Sequence, residues 1–140
     1  MTNQSQNQQQ LLGRFFFKKT VNGNLIGEFS NNLDARIYSE SADLIKGCEE
    51  KDKECVYCRY HGTYNSTWQE GGEPHFTELK ISPKTGKYGN KKLFSLWWTE
   101  KGSLIYLGEG MMCDEILIGD YHRPDASEIK GFQENSQPVA

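Results

Sequence analysis

The feature of this sequence that most restricts its fold is an alternation of apolar and polar side chains over residues 56–68. The even positions are mostly apolar or aromatic and include Tyr60, Tyr64 and Trp68, whereas the odd positions are mostly polar. Successive side chains of a β-strand point to opposite faces of a sheet, so this period of two predicts a strand with one buried face.

Other segments follow the same pattern. Leu79 and Ile81 alternate with charged residues, and residues 93–99, 104–107 and 116–121 are rich in aromatic and branched side chains. Turn-forming residues at 22–24, 71–74, 82–86 and 100–102 separate these segments. Residues 39–46 have the most helical composition, but the segment is short, and a helix is the weaker interpretation there.

These short, regularly punctuated strands predict an all-β fold, an antiparallel up-and-down meander that closes into a barrel of about eight strands. A recurring Leu-Ile-Gly-acid-aromatic motif at residues 25–29 and 117–121 supports closure, because glycine lets a strand bend sharply. The polar residues 1–10 are predicted to form a disordered tail, residues 11–122 the barrel, and residues 123–140 a C-terminal tail.

The pattern resembles that of calycin-type barrels, which comprise the lipocalin, fatty-acid-binding and avidin-like families. The resemblance is carried by strands that end in Gly-x-aromatic, by Tyr-x-Gly-x-Tyr at residues 60–64, and by Phe-Ser-Leu-Trp-Trp at residues 94–98 before a hairpin. Residues 13–15 have Phe where lipocalins have Trp, and the biotin-contacting residues of avidin find no match. The resemblance implies a calycin-like barrel that holds a small apolar ligand.

Composition and charge exclude several classes of function. The net charge of −3 argues against a nucleic-acid-binding protein, which normally carries a basic excess. No apolar segment approaches the ~20 residues of a membrane helix, so no membrane partner is expected. The first ten residues lack a basic start and an apolar core, so a secretory signal is not predicted and a cytoplasmic location is expected.

The four cysteines permit three interpretations. Cys55 and Cys58 have the spacing of half a zinc site, which Cys48 and His61 could complete. Extended backbone would separate these side chains, so no metal is predicted, and a Cys48–Cys55 disulfide is unfavourable in a reducing compartment. The preferred interpretation is four free thiols, with Cys58 and Cys113 as buried apolar residues.

No catalytic residue is predicted, because the sequence contains no nucleophile elbow, zinc-protease motif or phosphate-binding loop. No cofactor is expected either. A small barrel enzyme that pairs Glu109 with one of the histidines remains an alternative.

The aromatic faces of two strands predict the function. If both faces point inward, their rings line one cavity that binds a small, partly apolar molecule without transforming it. The walls would come from Tyr64, Trp68, Phe94 and Trp98, the polar contacts from Tyr60 and Tyr106, and the rim from Arg59 or His61. Alternatively, the rings fill the barrel as a packed core, and the protein is a protein-interaction module.

Overall fold

The computed structural model describes residues 10–48, 60–84 and 90–136. Within these residues lie eight β-strands and one helix at the C-terminal side. The elements are β1 (Gly13–Lys19), β2 (Leu25–Asn31), β3 (Asp34–Gly47), β4 (Gly62–Glu70), β5 (Glu73–Lys84), β6 (Asn90–Glu100), β7 (Ser103–Cys113), β8 (Ile116–His122) and α1 (Ala126–Ser136).

The strands form one closed antiparallel barrel in sequence order. Each strand pairs with the next along the chain, and β1 also pairs with β8, where Gly13 lies opposite Tyr121. The β6–β7 hairpin turns at Lys101 and Gly102, both with positive φ (51° and 83°). This backbone conformation is typical of two-residue hairpin turns that match the twist of the strands. The predicted eight-stranded up-and-down barrel is therefore confirmed.

Alternate residues of each strand fill the interior, as the period of two predicts. On β4 the inward-facing residues include Tyr64 and Trp68, and on β6 they include Phe94 and Trp98, and all four rings are buried. The two strands therefore contribute their rings to the same enclosed core. Eight strands leave an interior that side chains of this size can fill.

Two glycines make room for other side chains of the core. A Cβ atom at Gly110 would lie 2.9 Å from Leu117 Cδ1 and 3.3 Å from Phe15 Cζ. A Cβ atom at Gly13 would lie 2.0 Å from Cε1 of Tyr121, inside the ring. The bare backbone at these positions lets aromatic side chains pack directly across the strands.

The two ends of the barrel differ, and we name them here. The aromatic end carries the β2–β3, β4–β5 and β6–β7 turns together with the segments before β1 and after β8. The opposite end carries the other four connections and is named the Tyr60 end, after the buried residue that precedes β4.

Two segments differ from the sequence-based expectations. Residues 39–46, whose composition is the most helical, lie in the long strand β3, where they pair with β2 and β4. Within the C-terminal region, the helix α1 was not predicted. Reciprocal hydrogen bonds between Asp125 and Glu128 cap its first turn. The predicted N-terminal tail, apart from Gln10, falls outside the described residues.

Candidate functional site

Side chains fill the barrel at the Tyr60 end. The Tyr60 hydroxyl lies 3.0 Å from the carbonyl oxygen of Phe17 and 2.8 Å from that of Glu115, and it donates to them. Tyr64 donates to the carbonyl oxygen of Tyr60 at 2.8 Å, and the ring of Phe94 packs 6.4 Å from that of Tyr60. Because these phenol groups bond to the backbone, they stabilise the barrel at this end.

A small cavity lies at the aromatic end. Its free volume is about 20 Å³, which is room for one water molecule. Six aromatic rings and one carboxyl group surround it. The lining residues are Phe15, Phe29, Glu40, Trp68, Trp98, Tyr106 and Tyr121.

Glu40 is the buried carboxyl group of this cavity. Its side chain extends inward from β3 and is only 6% exposed. Ser66 Oγ and Trp98 Nε1 both donate to the same oxygen, Oε2, the latter at 2.9 Å. Burial raises the pKa of Glu40 to about 7, and the two hydrogen bonds oppose that rise without reversing it. Among the described residues no cationic side chain pairs with Glu40.

Two further buried polar atoms belong to residues on β4 and β5. Trp68 is directly opposite Glu40 across β3 and β4, and Thr77 is directly opposite Ser66 across β4 and β5. Trp68 Nε1 and Thr77 Oγ1 are buried and have no hydrogen-bond partner in the described part of the chain. Buried polar groups are nearly always paired. We name Glu40, Ser66, Trp68, Thr77 and Trp98 the polar layer.

Most rings around the cavity are held in place. Trp68 stacks on the ring of His75 at a centroid distance of 5.2 Å and an interplanar angle of 14°. Asn31 Nδ2 donates to the Tyr121 hydroxyl at 3.1 Å, and burial raises the pKa of Tyr121 to about 12. Tyr106 is only partly buried and packs edge-on against Tyr121 at 5.3 Å. Tyr106 is therefore the most exposed ring of the cavity wall, and its hydroxyl group is hydrogen-bonded to the Arg123 side chain.

The site residues predicted from the sequence divide between the two ends. Those that line the cavity are Trp68, Trp98 and Tyr106. Those that pack the Tyr60 half of the core are Tyr60, Tyr64 and Phe94. His61 is at the Tyr60 end beside Lys46 and Lys80, so the structure does not bring it to the rim of the cavity. Arg59 lies outside the described residues.

The cavity also uses residues that the sequence analysis did not select, namely Phe15, Phe29, Glu40 and Tyr121. Tyr121 belongs to the recurring glycine motif, and that motif was the signal that could have indicated it. Glu40 lies in β3, where the only buried residues are Glu40 and Ala42. Tyr38, Ala42 and Leu44 alternate with polar residues along β3, and this pattern is the signal that could have placed Glu40 on the inward face.

The described cysteines carry free thiols. Cys48 is half-buried at the end of β3, and Cys113 is exposed at the end of β7. The prediction that Cys113 is a buried apolar residue is therefore wrong, because β7 ends in a tight turn that leaves its last residue in solvent. Cys55 and Cys58 fall outside the described residues. Within the described ranges, no three potential metal-ligating side chains cluster together.

The alternative site for a barrel enzyme does not assemble. Glu109 points outward and forms an ion pair with Lys84. His75 instead pairs with Glu100 at 3.3 Å, and His122 is bonded to Glu128 at 3.1 Å. The structure thus gives Glu109 a lysine partner rather than a histidine.

Comparisons with models of protein families, with curated proteins and with solved structures found no match. In the part of the chain that the structure describes, no helix is sufficiently long and apolar to cross a membrane.

Proposed function

We propose that the barrel binds a small, flat, partly apolar molecule at the aromatic end. The observation that carries this proposal is the buried Trp68 Nε1–H group, which has no partner among the described residues and belongs to a ring that lines the cavity and pairs across the sheet with Glu40. Leaving a buried donor without a partner costs about 1–3 kcal/mol, so a ligand that supplies an acceptor would recover that free energy on binding.

The aromatic rings fit the same proposal. Phe29 packs edge-on against Trp68 at 5.8 Å, and Phe15 packs edge-on against Trp98 at 5.7 Å. These rings form apolar walls, and the polar layer supplies a hydrogen-bond donor, Trp68, and an acceptor, Glu40. Apolar walls with a few convergent polar groups are typical of small-molecule sites.

The free volume of about 20 Å³ is far below the ~300 Å³ of most ligand pockets, so the ligand must displace a side chain. Tyr106 is the side chain that we expect to move. It is partly exposed, and it lies at the cavity wall opposite Trp98 across β6 and β7. Rotation of its ring toward solvent would widen the cavity.

A second candidate function is a protein-interaction module with a packed core. The small free volume favours it, as does a groove of about 290 Å³ on the outer surface that Phe16, Ile37 and Ile118 help to line. Ile37 is 70% exposed and Ile118 is 48% exposed. If this candidate is correct, small aromatic molecules will not bind inside the barrel.

Calorimetric titration with phenol tests the proposal. Phenol is a flat ring whose hydroxyl group can accept from Trp68 and donate to Glu40. We expect saturable binding with a dissociation constant on the order of 10⁻³ to 10⁻⁴ M for so small a ligand. Absence of saturable binding at concentrations up to roughly 10 mM would exclude the proposal in favour of the packed module.

Two tryptophan variants locate the site. Trp68→Phe keeps an aromatic ring but removes the unpartnered donor, so we expect phenol to bind about five- to tenfold more weakly. Trp97→Phe is the matched control, because Trp97 is only partly buried and its neighbour Trp98 takes the inward position. Equal affinities in the two variants would show that the Trp68 donor does not contact the ligand.

The calycin-like relationship belongs to the same proposal. The eight-stranded meander supports it, as does the location of the proposed site inside one end of the barrel. A cytoplasmic location stays a prediction from the sequence.

A further inference from the structure

Glu40 restricts the chemistry of the ligand. Its carboxyl group faces a cavity that is otherwise lined by six aromatic rings. Both of its hydrogen bonds end on Oε2, and within the described residues Oε1 accepts none. Buried carboxylates are usually paired with a cation, because the charge is costly to desolvate. The described barrel supplies no such cation.

The rings around Glu40 also favour a positive charge. The face of an aromatic ring is negative, and a cation within about 6 Å of the ring centre is attracted to it. The ring centres of Trp98 and Tyr121 lie 6.1 Å apart and those of Tyr106 and Tyr121 lie 5.3 Å apart, so these rings pack against one another in the cavity wall. Aromatic rings grouped around a buried acid form a site that suits an ammonium group.

Both negative and positive side chains lie near the tyrosines of the aromatic end. Glu70 lies at the end of β4, and its negative charge contributes to a raised pKa of both Tyr106 and Tyr121, after the larger effect of burial. The Arg123 guanidinium opposes this effect at Tyr106. At Tyr121, the charges of both Glu70 and Glu40 raise the pKa. Glu40 and Glu70 therefore add negative charge near Tyr121, while Arg123 adds positive charge near Tyr106.

We propose that the ligand is a small organic amine that carries an oxygen acceptor, with its ammonium group paired to Glu40 and its oxygen bonded to the Trp68 indole N–H. This inference rests on the proposed function, because it assigns the chemical class of the molecule that the aromatic end binds. The ammonium group occupies the volume among the rings, and Oε1 of Glu40 accepts one of its protons.

Three probes of one shape test the charge. Tyramine carries an ammonium group and a phenol oxygen, tyrosol replaces the ammonium group with a hydroxyl group, and 4-hydroxyphenylacetate replaces it with a carboxylate. We expect calorimetry at pH 8 to show tyramine binding at least tenfold more tightly than tyrosol, and 4-hydroxyphenylacetate binding the weakest. Equal affinities for tyramine and tyrosol would overturn the inference and leave the proposed function standing. No binding of any probe would overturn both.

Substitution of Glu40 tests the partner of the ammonium group. Glu40→Gln should weaken tyramine binding at least tenfold and weaken tyrosol binding less, so that the preference for tyramine over tyrosol is lost. Glu28→Gln is the matched control, since Glu28 is exposed on the outer face of the neighbouring strand β2. A Glu40→Gln protein that keeps the preference for tyramine would refute the pairing.

The pH dependence supplies an independent readout. Tyramine needs the ionised form of Glu40, and the amine itself stays protonated below about pH 9. In the described part of the chain, the titratable groups nearest Glu40 are Tyr106 on β7, Tyr121 on β8 and, behind Trp68, His75 on β5. The charged groups that act on these residues are Glu70, Glu100 and Arg123. Wild-type affinity for tyramine should fall by up to tenfold for each pH unit below about 7, whereas Glu40→Gln should lack that dependence. Identical pH profiles for the two proteins would contradict the inference.

Discussion

Glu40→Gln should change how the stability of the barrel depends on pH. In the folded protein, burial raises the pKa of Glu40 from 4.5 to about 7. Between these two values the folded state binds more protons than the unfolded state. The free energy of unfolding therefore decreases as the pH rises through this range, and the decrease is complete above pH 7.

The magnitude follows from the size of the shift. One pKa unit corresponds to 1.36 kcal/mol, so a shift from 4.5 to about 7 amounts to roughly 3 kcal/mol in the limit. Between pH 5 and pH 8, Glu40 should lower the free energy of unfolding of the wild type by roughly 2–3 kcal/mol. Gln has a similar shape and its side-chain oxygen can accept from Ser66 and Trp98, but it does not titrate.

Urea denaturation at pH 5, 6, 7 and 8 measures this contribution. The difference in unfolding free energy between Glu40→Gln and wild type should grow in favour of the variant as the pH rises. The exposed control Glu28→Gln should follow the wild type at every pH. If the difference between Glu40→Gln and wild type stays constant over this range, the carboxyl group of Glu40 is not buried in the way described, and the reasoning fails.

Three further substitutions test the packing of the barrel. Gly13→Ala would place its Cβ atom inside the ring of Tyr121, so we expect thermal denaturation to show that the free energy of unfolding falls by about 1–3 kcal/mol. Unchanged stability would contradict the close contact. Tyr60→Phe removes the hydroxyl group that bonds to two backbone carbonyls, so chemical denaturation should show that the free energy of unfolding falls by about 1–3 kcal/mol. An unchanged free energy of unfolding would mean that those bonds contribute little. Asp125→Ala removes the acceptor for the Glu128 backbone N–H, so hydrogen exchange in α1 should become faster, corresponding to about 1 kcal/mol, while exchange in the strands should stay the same.

The architecture of the barrel could be predicted because its signals are local. Alternation on β4 and β6 identified the inward-facing rings, and the turn at Lys101 and Gly102 identified a hairpin. The level of each ring along the barrel axis could not be predicted in this way. Tyr64 and Trp68 are four residues apart on β4, and Phe94 and Trp98 are four apart on β6, so each strand carries rings at two levels. Strand tilt and stagger determine which rings of the two strands lie at the same level.

The polar layer escaped prediction for a different reason. The alternation of Tyr38, Ala42 and Leu44 puts position 40 on the inward face of β3, but a carboxyl group there breaks the apolar pattern by which the inward-facing residues were selected. The helix α1 did have a local signal, because Asp125 and Glu128 have the spacing of a capping box. The polar composition of the surrounding tail obscured that signal.

The proposed site depends most directly on the Trp68 indole N–H group, which a two-dimensional ¹H–¹⁵N NMR spectrum reports as a separate signal. The chain has three tryptophans, and Trp→Phe variants assign their three indole signals. We expect added tyramine to shift the Trp68 signal strongly and the Trp98 signal moderately, and to leave the Trp97 signal in place. A Trp68 signal that does not move while tyramine is bound would contradict the assignment of the aromatic end as the binding site.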